Sequence, residues 1–257
     1  MRELLLLRLD APLMSFGAPT VDALGKTARH PSRSMLTGLL ANALGWDHCE
    51  PAKLQALQQR LTWAARLDCV GQALTEYQTV DLGLPHMLTS GKNAVSWTTR
   101  GRTEERRGGA ASEGTHQRWR DHWADAVYTV AIGLASGDAP TVADLAEAVQ
   151  RPARPLFLGR KACLPAAPLF IAVVQAETLA DALAQATDQS IRNDRPGSKS
   201  RKAQENPHIW WPTDDPKPAN VDHCEELYVT EERDWRNQIH VGERRICHGV
   251  LTNRGAP

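Results

Sequence analysis

Residues 154–170 read RPLFLGRKACLPAAPLF. A short apolar run, one glycine, two adjacent cations and a proline-broken second apolar run follow each other without a gap. Gly159 has no Cβ, so a backbone can come close to a ligand there. Arg160 adds a planar fork of donors and Lys161 a compact point charge. That combination suits a phosphate backbone passing over a turn between two strands. It also suits a plain surface turn with solvated cations.

Regular elements surround this turn. Upstream, residues 141–149 read as a helix with a capping-box variant, Thr141 and Asp144. Residues 127–134 before it read as a strand. Downstream come a strand over 169–174 and a helix over 178–186. At the start of the chain, residues 3–9 form a strand that Pro12 and Gly17 bring to an end. Leu36, Leu39, Leu40, Ala43 and Leu44 then make one apolar helical stripe, with Pro31, Ser32 and Ser34 as start signals and Gly45 as a stop. A second helix is predicted over 52–59, and strands over 63–70 and 74–81. Trp119 and Trp123, four apart, predict a short helix. Residues 83–117 show no apolar period, and 193–218, around Trp210 and Trp211, read as a polar, proline-rich loop. Strands over 227–230 and 245–251 are expected to pair and close the fold. Strand, helix, strand, then strand, helix, strand is the order of a ferredoxin-like domain.

Thirty basic and thirty acidic side chains cancel, so no overall field draws the chain to nucleic acid. The charges are segregated, however. Arg100, Arg102, Arg106, Arg107, Arg118 and Arg120 cluster in one stretch, and residues 192–202 are basic as well, whereas residues 222–245 are predominantly acidic. Such a protein can hold an anion locally and keep other faces for protein partners. The odd count of five cysteines argues against a disulfide framework and for reduced thiols in the cytoplasm. Arg8 and Asp10 interrupt the leucines at 4–7, so that run is neither a signal peptide nor a membrane span.

Four blocks bring these readings together. They are residues 5–17; the RHPSRSMLTGLL run at 29–40; Tyr77-Gln78-Thr79-Val80 with the distant THQRWR at 115–120; and residues 151–170. In this order they resemble the RAMP proteins of CRISPR systems, and within them the Cas-five family of type I-E Cascade. The resemblance spans positions 5–170; residues 190–257 depart from the family pattern. It implies an α+β, ferredoxin-like (RRM-like) RAMP domain over 1–175, a thumb-like arm inserted at 83–117, and a β-rich C-terminal extension over 176–257. It further implies a non-catalytic subunit that holds the 5′ handle of the CRISPR RNA and contacts the CasC backbone subunit and the large subunit CasA. Target DNA would be met only through the guide. No cofactor or metal is expected.

The same residues supply the chemistry that handle binding needs. Arg29, Arg33 and Ser34 fall where the N-terminus of the first helix favours an anion. Ser34 also suits an ordinary N-cap. Arg160 and Lys161 are the leading candidates for the RNA path. Phe16 and Tyr77 are candidate stacking surfaces, although an aromatic beside a strand also suits the core. In the thumb, Arg100, Arg102, Arg106 and Arg107 would follow phosphates, with Met87 or Trp97 as an apolar wedge. An alternative is a metal-independent endoribonuclease that processes precursor RNA, as in type I-C relatives. Tyr77, His30, His116 and Lys161 have the residue types for it, but no spacing brings them together. The neighbours His48-Cys49, His223-Cys224 and Cys247-His248 lack the spacing of a zinc site.

Overall fold

The computed structural model describes residues 1–19, 23–81, 88–89, 93–97, 103–105, 115–186 and 204–252. The elements run β1 (Arg2–Asp10), β2 (Leu13–Met14), β3 (Leu24–Gly25), α1 (Arg33–Ala43), α2 (Pro51–Arg60), β4 (Leu61–Cys69) and β5 (Gln72–Asp81). Next come β6 (Leu88–Thr89), β7 (Asn93–Trp97), β8 (Thr103–Glu105), β9 (Thr115–Ala124), β10 (Val127–Leu134), α3 (Val142–Gln150) and β11 (Phe170–Ala176). The chain continues through α4 (Leu179–Gln185), β12 (His208–Pro212), β13 (Val221–Val229), β14 (Glu232–Asp234), β15 (Ile239–Val241) and β16 (Arg244–Leu251). It is a mixed α+β protein with a large antiparallel sheet and few helices. It divides into two units, Met1–Pro19 with Lys26–Leu74 and His122–Pro257, and Thr20–Gly25 with Thr75–Asp121.

The first unit is built on a seven-stranded sheet in the order β11-β1-β10-β4-β12-β16-β13. Strand β1 lies inside it and is covered on both faces. That is why the leucines at 4–7 run without alternation. Leu5, Leu7 and Leu9 enter one apolar cluster with residues of α1, α2 and α3; Leu4 and Leu6 enter another with Leu179, Ala182 and Leu183 of α4. Each fully buried leucine contributes roughly 1.5–3 kcal/mol, so these two clusters dominate the stability of the unit. Helices α3 and α4 both begin with a complete capping box, Thr141 with Asp144 and Thr178 with Asp181. Among the described residues no helix is long and apolar enough to cross a membrane. All five cysteines are free thiols.

One row of partners crosses most of the sheet: Arg8, Thr129, Arg66, Ile209, Gly249 and Cys224. It carries buried polar links, with Arg8 donating to Asp10 at 2.9 Å and Arg66 to Asp68 at 2.6 Å. Just beyond this row lie the end of β1 at Asp10, the end of β4 at Cys69, and the starts of β10 at Val127 and β12 at His208. The loops of interest emerge at this end.

Three expectations need correction. Trp119 and Trp123 lie on strand β9, not on a helix. A separation of four puts two residues on one side of either element, so the spacing could not tell them apart. Trp210 and Trp211 lie on β12, inside the sheet between β4 and β16, not in a loop. The flanking prolines, Pro207 and Pro212, mark its ends. Residues 83–117 are not without strands: β6 pairs with β7 and β7 with β8. These strands are two to five residues long, too short for alternation to register. The C-terminal strands β12, β16 and β13 continue the main sheet, with Leu227 opposite Ile246.

In the second unit β9 runs parallel to β3, with Leu24 opposite Trp119, and also pairs with β5. Thr75 donates to Asp121 at 2.8 Å.

Candidate nucleic-acid interface

Gly159 has φ +99°, and a Cβ there would lie 1.7 Å from the carbonyl oxygen of Ser15. The close approach anticipated at this glycine is therefore to the chain's own backbone, not to a ligand. Around it the turn is tight: Leu158 N–H donates to the Cys163 carbonyl at 2.8 Å, and Cys163 N–H to that of Arg160 at 2.8 Å. Ser15 N–H donates to Leu158, Ala166 N–H to Asp10, and Arg8 N–H to Leu169, so the segment is strapped along the end of β1. Leu156, Leu158, Cys163 and Leu169 point inward and are buried, while Lys161 is exposed and Arg160 half-exposed. The apolar residues fix the turn and leave its cations on the outside.

Arg160 is anchored from below. Its Nη1 donates to Nε2 of buried His122 at 3.2 Å, and His122 Nδ1 faces the Cys163 sulfur at 3.7 Å. A guanidinium can only donate, so Nε2 is the acceptor and the neutral ring carries its proton on Nδ1. The Lys161 ammonium makes no hydrogen bond or ion pair among the described residues.

A second loop packs against the first. Phe16 N–H donates to Thr27 Oγ1 at 2.8 Å, and Ala28 N–H to the Phe16 carbonyl at 3.1 Å. The carbonyls of Ala28 and Arg29 are held by two aromatic donors, Trp123 Nε1 and the Tyr128 hydroxyl, each at 2.7 Å. Burial raises the pKa of that hydroxyl, with the Arg29 charge opposing. It therefore stays a donor. Arg29 thus projects from a rigid backbone; its side chain is exposed and has no partner among the described residues. Phe16 corrects a stacking expectation. Its ring is fully buried, edge-on to Tyr128 at 5.1 Å, and offers no face to a base. His30 is buried too, stacked 5.5 Å from Trp63, which removes it from the surface where RNA cleavage would need it.

The start of α1 is not an open anion site. Ser32, not Ser34, is the N-cap, and its Oγ accepts the Met35 N–H at 3.2 Å. Glu231 fills the remaining space. Its Oε2 accepts the Arg33 N–H at 3.0 Å, and its carbonyl the Ser34 N–H at 3.0 Å. Arg244 is ion-paired to Glu231, and Arg33 donates to Glu232 at 2.7 Å. Burial is the main cause lowering the pKa of Arg33. A carboxylate from 198 positions away occupies the place expected for a phosphate, so Arg33 and Ser34 are committed to the fold. No local spacing in the sequence could have announced Glu231, nor His122 beneath Arg160.

Tyr77 lies in the second unit, 54% exposed, its ring 5.3 Å from that of Trp119. Trp97 ends β7 opposite Thr103. Met87, Arg100, Arg102, Arg106 and Arg107 lie outside the described residues. Among the described residues, one group brings three metal-type donors within 4.8 Å, namely Asp47, His48 and Cys49 in a turn after α1. Asp47 Oδ1 already accepts the Cys49 N–H at 2.9 Å.

The structure therefore gathers Arg29, Arg160 and Lys161 at one end of the first unit. The segments that carry them match known proteins. The chain is 34% identical over 176 residues to the CRISPR system Cascade subunit CasD of Escherichia coli (strain K12), covering 68% of this chain and 73% of that protein. Its fold is shared with a chain of a CRISPR RNA-guided surveillance complex, with TM-score 0.61 and 23% identity over 97% of this chain and 90% of that one. A second solved structure, described as a Cas protein, aligns with TM-score 0.52 and 19% identity over 97% and 95% of the two chains. Residues 4–247 match the family described as CRISPR-associated protein (Cas_Cas5), and the chain belongs to that family.

Proposed function

We propose that this protein is a non-catalytic subunit of a type I-E CRISPR Cascade complex that binds the 5′ handle of the CRISPR RNA and caps the complex at that end. The observation that carries this reading is the arrangement of Arg29, Arg160 and Lys161. The carbonyls of Arg29 and Arg160 accept from the buried Tyr128 hydroxyl and Cys163 N–H, Lys161 follows in the same turn, and the adjoining loops are held together through Ser15, Phe16 and Leu158. Clamped cations position a phosphate backbone without reading its bases. The half-exposed Tyr77 of the second unit suits an unstacked base. In this reading residues 83–117 form the arm that crosses the guide. The CasC backbone subunit and the large subunit CasA are the neighbours, and target DNA is met through the guide.

Co-expression tests the proposal. The protein, produced together with CasC and CasA homologues and a repeat–spacer transcript, should co-purify with both and with RNA bearing the 5′ handle. Recovery of the other subunits with intact handle-bearing RNA but without this chain would overturn it.

A further inference from the structure

Strand β12 starts at the same end of the sheet as these loops, and its alternation places His208 and Trp210 on one face. The register sets Trp210 opposite His248 on β16, and His248 opposite Glu225 on β13. Three side chains on this face form a continuous relay. His248 Nδ1–H donates to Glu225 Oε1 at 2.8 Å, and His208 Nδ1 meets His248 Nε2 at 2.9 Å. The two imidazoles are inclined by only 8° with centroids 5.1 Å apart, the spacing of rings joined edge to edge. The indole of Trp210 underlies both, 5.0 Å from His248 and 6.0 Å from His208, each at 21°.

The relay has a direction. An ionised carboxylate only accepts, so when both rings are neutral the His248 proton sits on Nδ1 and its Nε2 is a lone pair. His208 must then donate from Nδ1, which leaves a lone pair on its own Nε2. That atom has no partner among the described residues, and His208 is half-exposed. Burial, above all, and the Arg29 charge push the pKa of His208 down, which favours its neutral ring. Arg29 reaches the same neighbourhood through its backbone: the ring of His30, the next residue, lies 5.7 Å from that of Trp210.

A cation near a hydrogen-bond acceptor narrows the class of ligand. A phosphate alone would meet the cation but be repelled by the lone pair. A DNA backbone offers phosphate but no sugar donor. A ribonucleotide offers both, a phosphodiester next to a 2′-hydroxyl that can donate. We propose that Arg29 and His208 form a ribose-reading subsite, in which Arg29 holds a phosphate and His208 Nε2 accepts the 2′-OH of an adjoining nucleotide. The subsite rests on the RNA-binding reading above and extends it to the C-terminal strands.

The test uses the full chain, a labelled repeat-derived RNA, DNA of the same sequence, and RNAs with single 2′-deoxy substitutions along the handle. His208→Phe keeps a ring over Trp210 and removes the acceptor. It should weaken RNA binding roughly three- to tenfold, the worth of one net hydrogen bond, and leave DNA binding unchanged. In the wild type one deoxy position should cost that same factor, and in His208→Phe that position should cost nothing. Arg29→Ala should weaken RNA and DNA equally. An unchanged ribose-to-deoxyribose ratio in His208→Phe, with RNA binding intact, overturns the subsite but leaves the RNA reading standing. A His208-dependent preference for any single-stranded RNA, with none for the handle, supports the subsite and overturns the handle assignment. Absence of RNA binding by the wild type overturns both.

Discussion

Gly159 and Ser15 touch so closely that no other residue fits at 159: an added Cβ would lie 1.7 Å from the Ser15 carbonyl oxygen, at a φ of +99° that side chains avoid. The contact joins the cation-bearing turn to the loop after β1. Gly159→Ala should therefore destabilise the protein by about 3 kcal/mol or more, since both strain and steric overlap act at one position. Denaturant melts of the two proteins measure this; coincident midpoints would contradict it.

Glu231 should matter for folding and not for RNA. It is 2% exposed, is paired with Arg244 and accepts the Arg33 N–H. Glu231→Ala leaves a largely buried guanidinium and a helix N-terminus without their anion, so a loss of about 3 kcal/mol is expected. Handle affinity, measured well below the melting temperature of the variant, should equal that of the wild type. A large affinity loss in a fully folded variant would return the start of α1 to the RNA path.

His30 gives the stability a pH dependence of known sign. Burial lowers its pKa from the ordinary 6.5, outweighing the nearby Glu231. As pH falls through that value the unfolded chain takes up a proton that the folded chain refuses, so stability falls with pH. The limit for one such group is about 1.4 kcal/mol per pH unit. His30→Phe keeps a ring against Trp63 and cannot titrate. Between pH 7 and 5 the wild type should lose stability faster than this variant; parallel curves would mean that His30 charges equally in both states.

The segment proposed as an arm should be separable in a defined way. Residues 75–121 group apart from the main sheet. Replacing 88–113 with a short glycine–serine linker should leave the melting temperature of the main sheet and the handle affinity unchanged, and impair target-DNA recognition by the assembled complex. A variant that unfolds would make the segment structural. One that recognises target normally would remove the thumb assignment.

The legible parts of the sequence were those in which one local rule decides. The stripe from Leu36 to Leu44, the box at Thr141, and the unbroken leucines of β1 each specify their element from neighbouring residues alone. Trp119 and Trp123 failed because a spacing of four satisfies helix and strand alike, and β12 failed because its prolines resembled loop punctuation. Arg160 and Lys161 could be chosen as surface cations from their turn. Whether an anion site is already filled depends on a distant residue, and so Glu231, which occupies the start of α1, left no local trace. For the same reason Phe16 looked like a platform until Tyr128 was found against it.

The most direct test of the central claim is the salt dependence of handle binding in the wild type and in the triple variant Arg29→Ala, Arg160→Ala, Lys161→Ala. Each phosphate contact on a single strand contributes about 0.7 to the slope of log affinity against log salt. Three lost contacts should therefore flatten the slope by about 2 and weaken binding without altering base preference. An identical slope and affinity in the folded triple variant would contradict the account and place the RNA elsewhere on the protein.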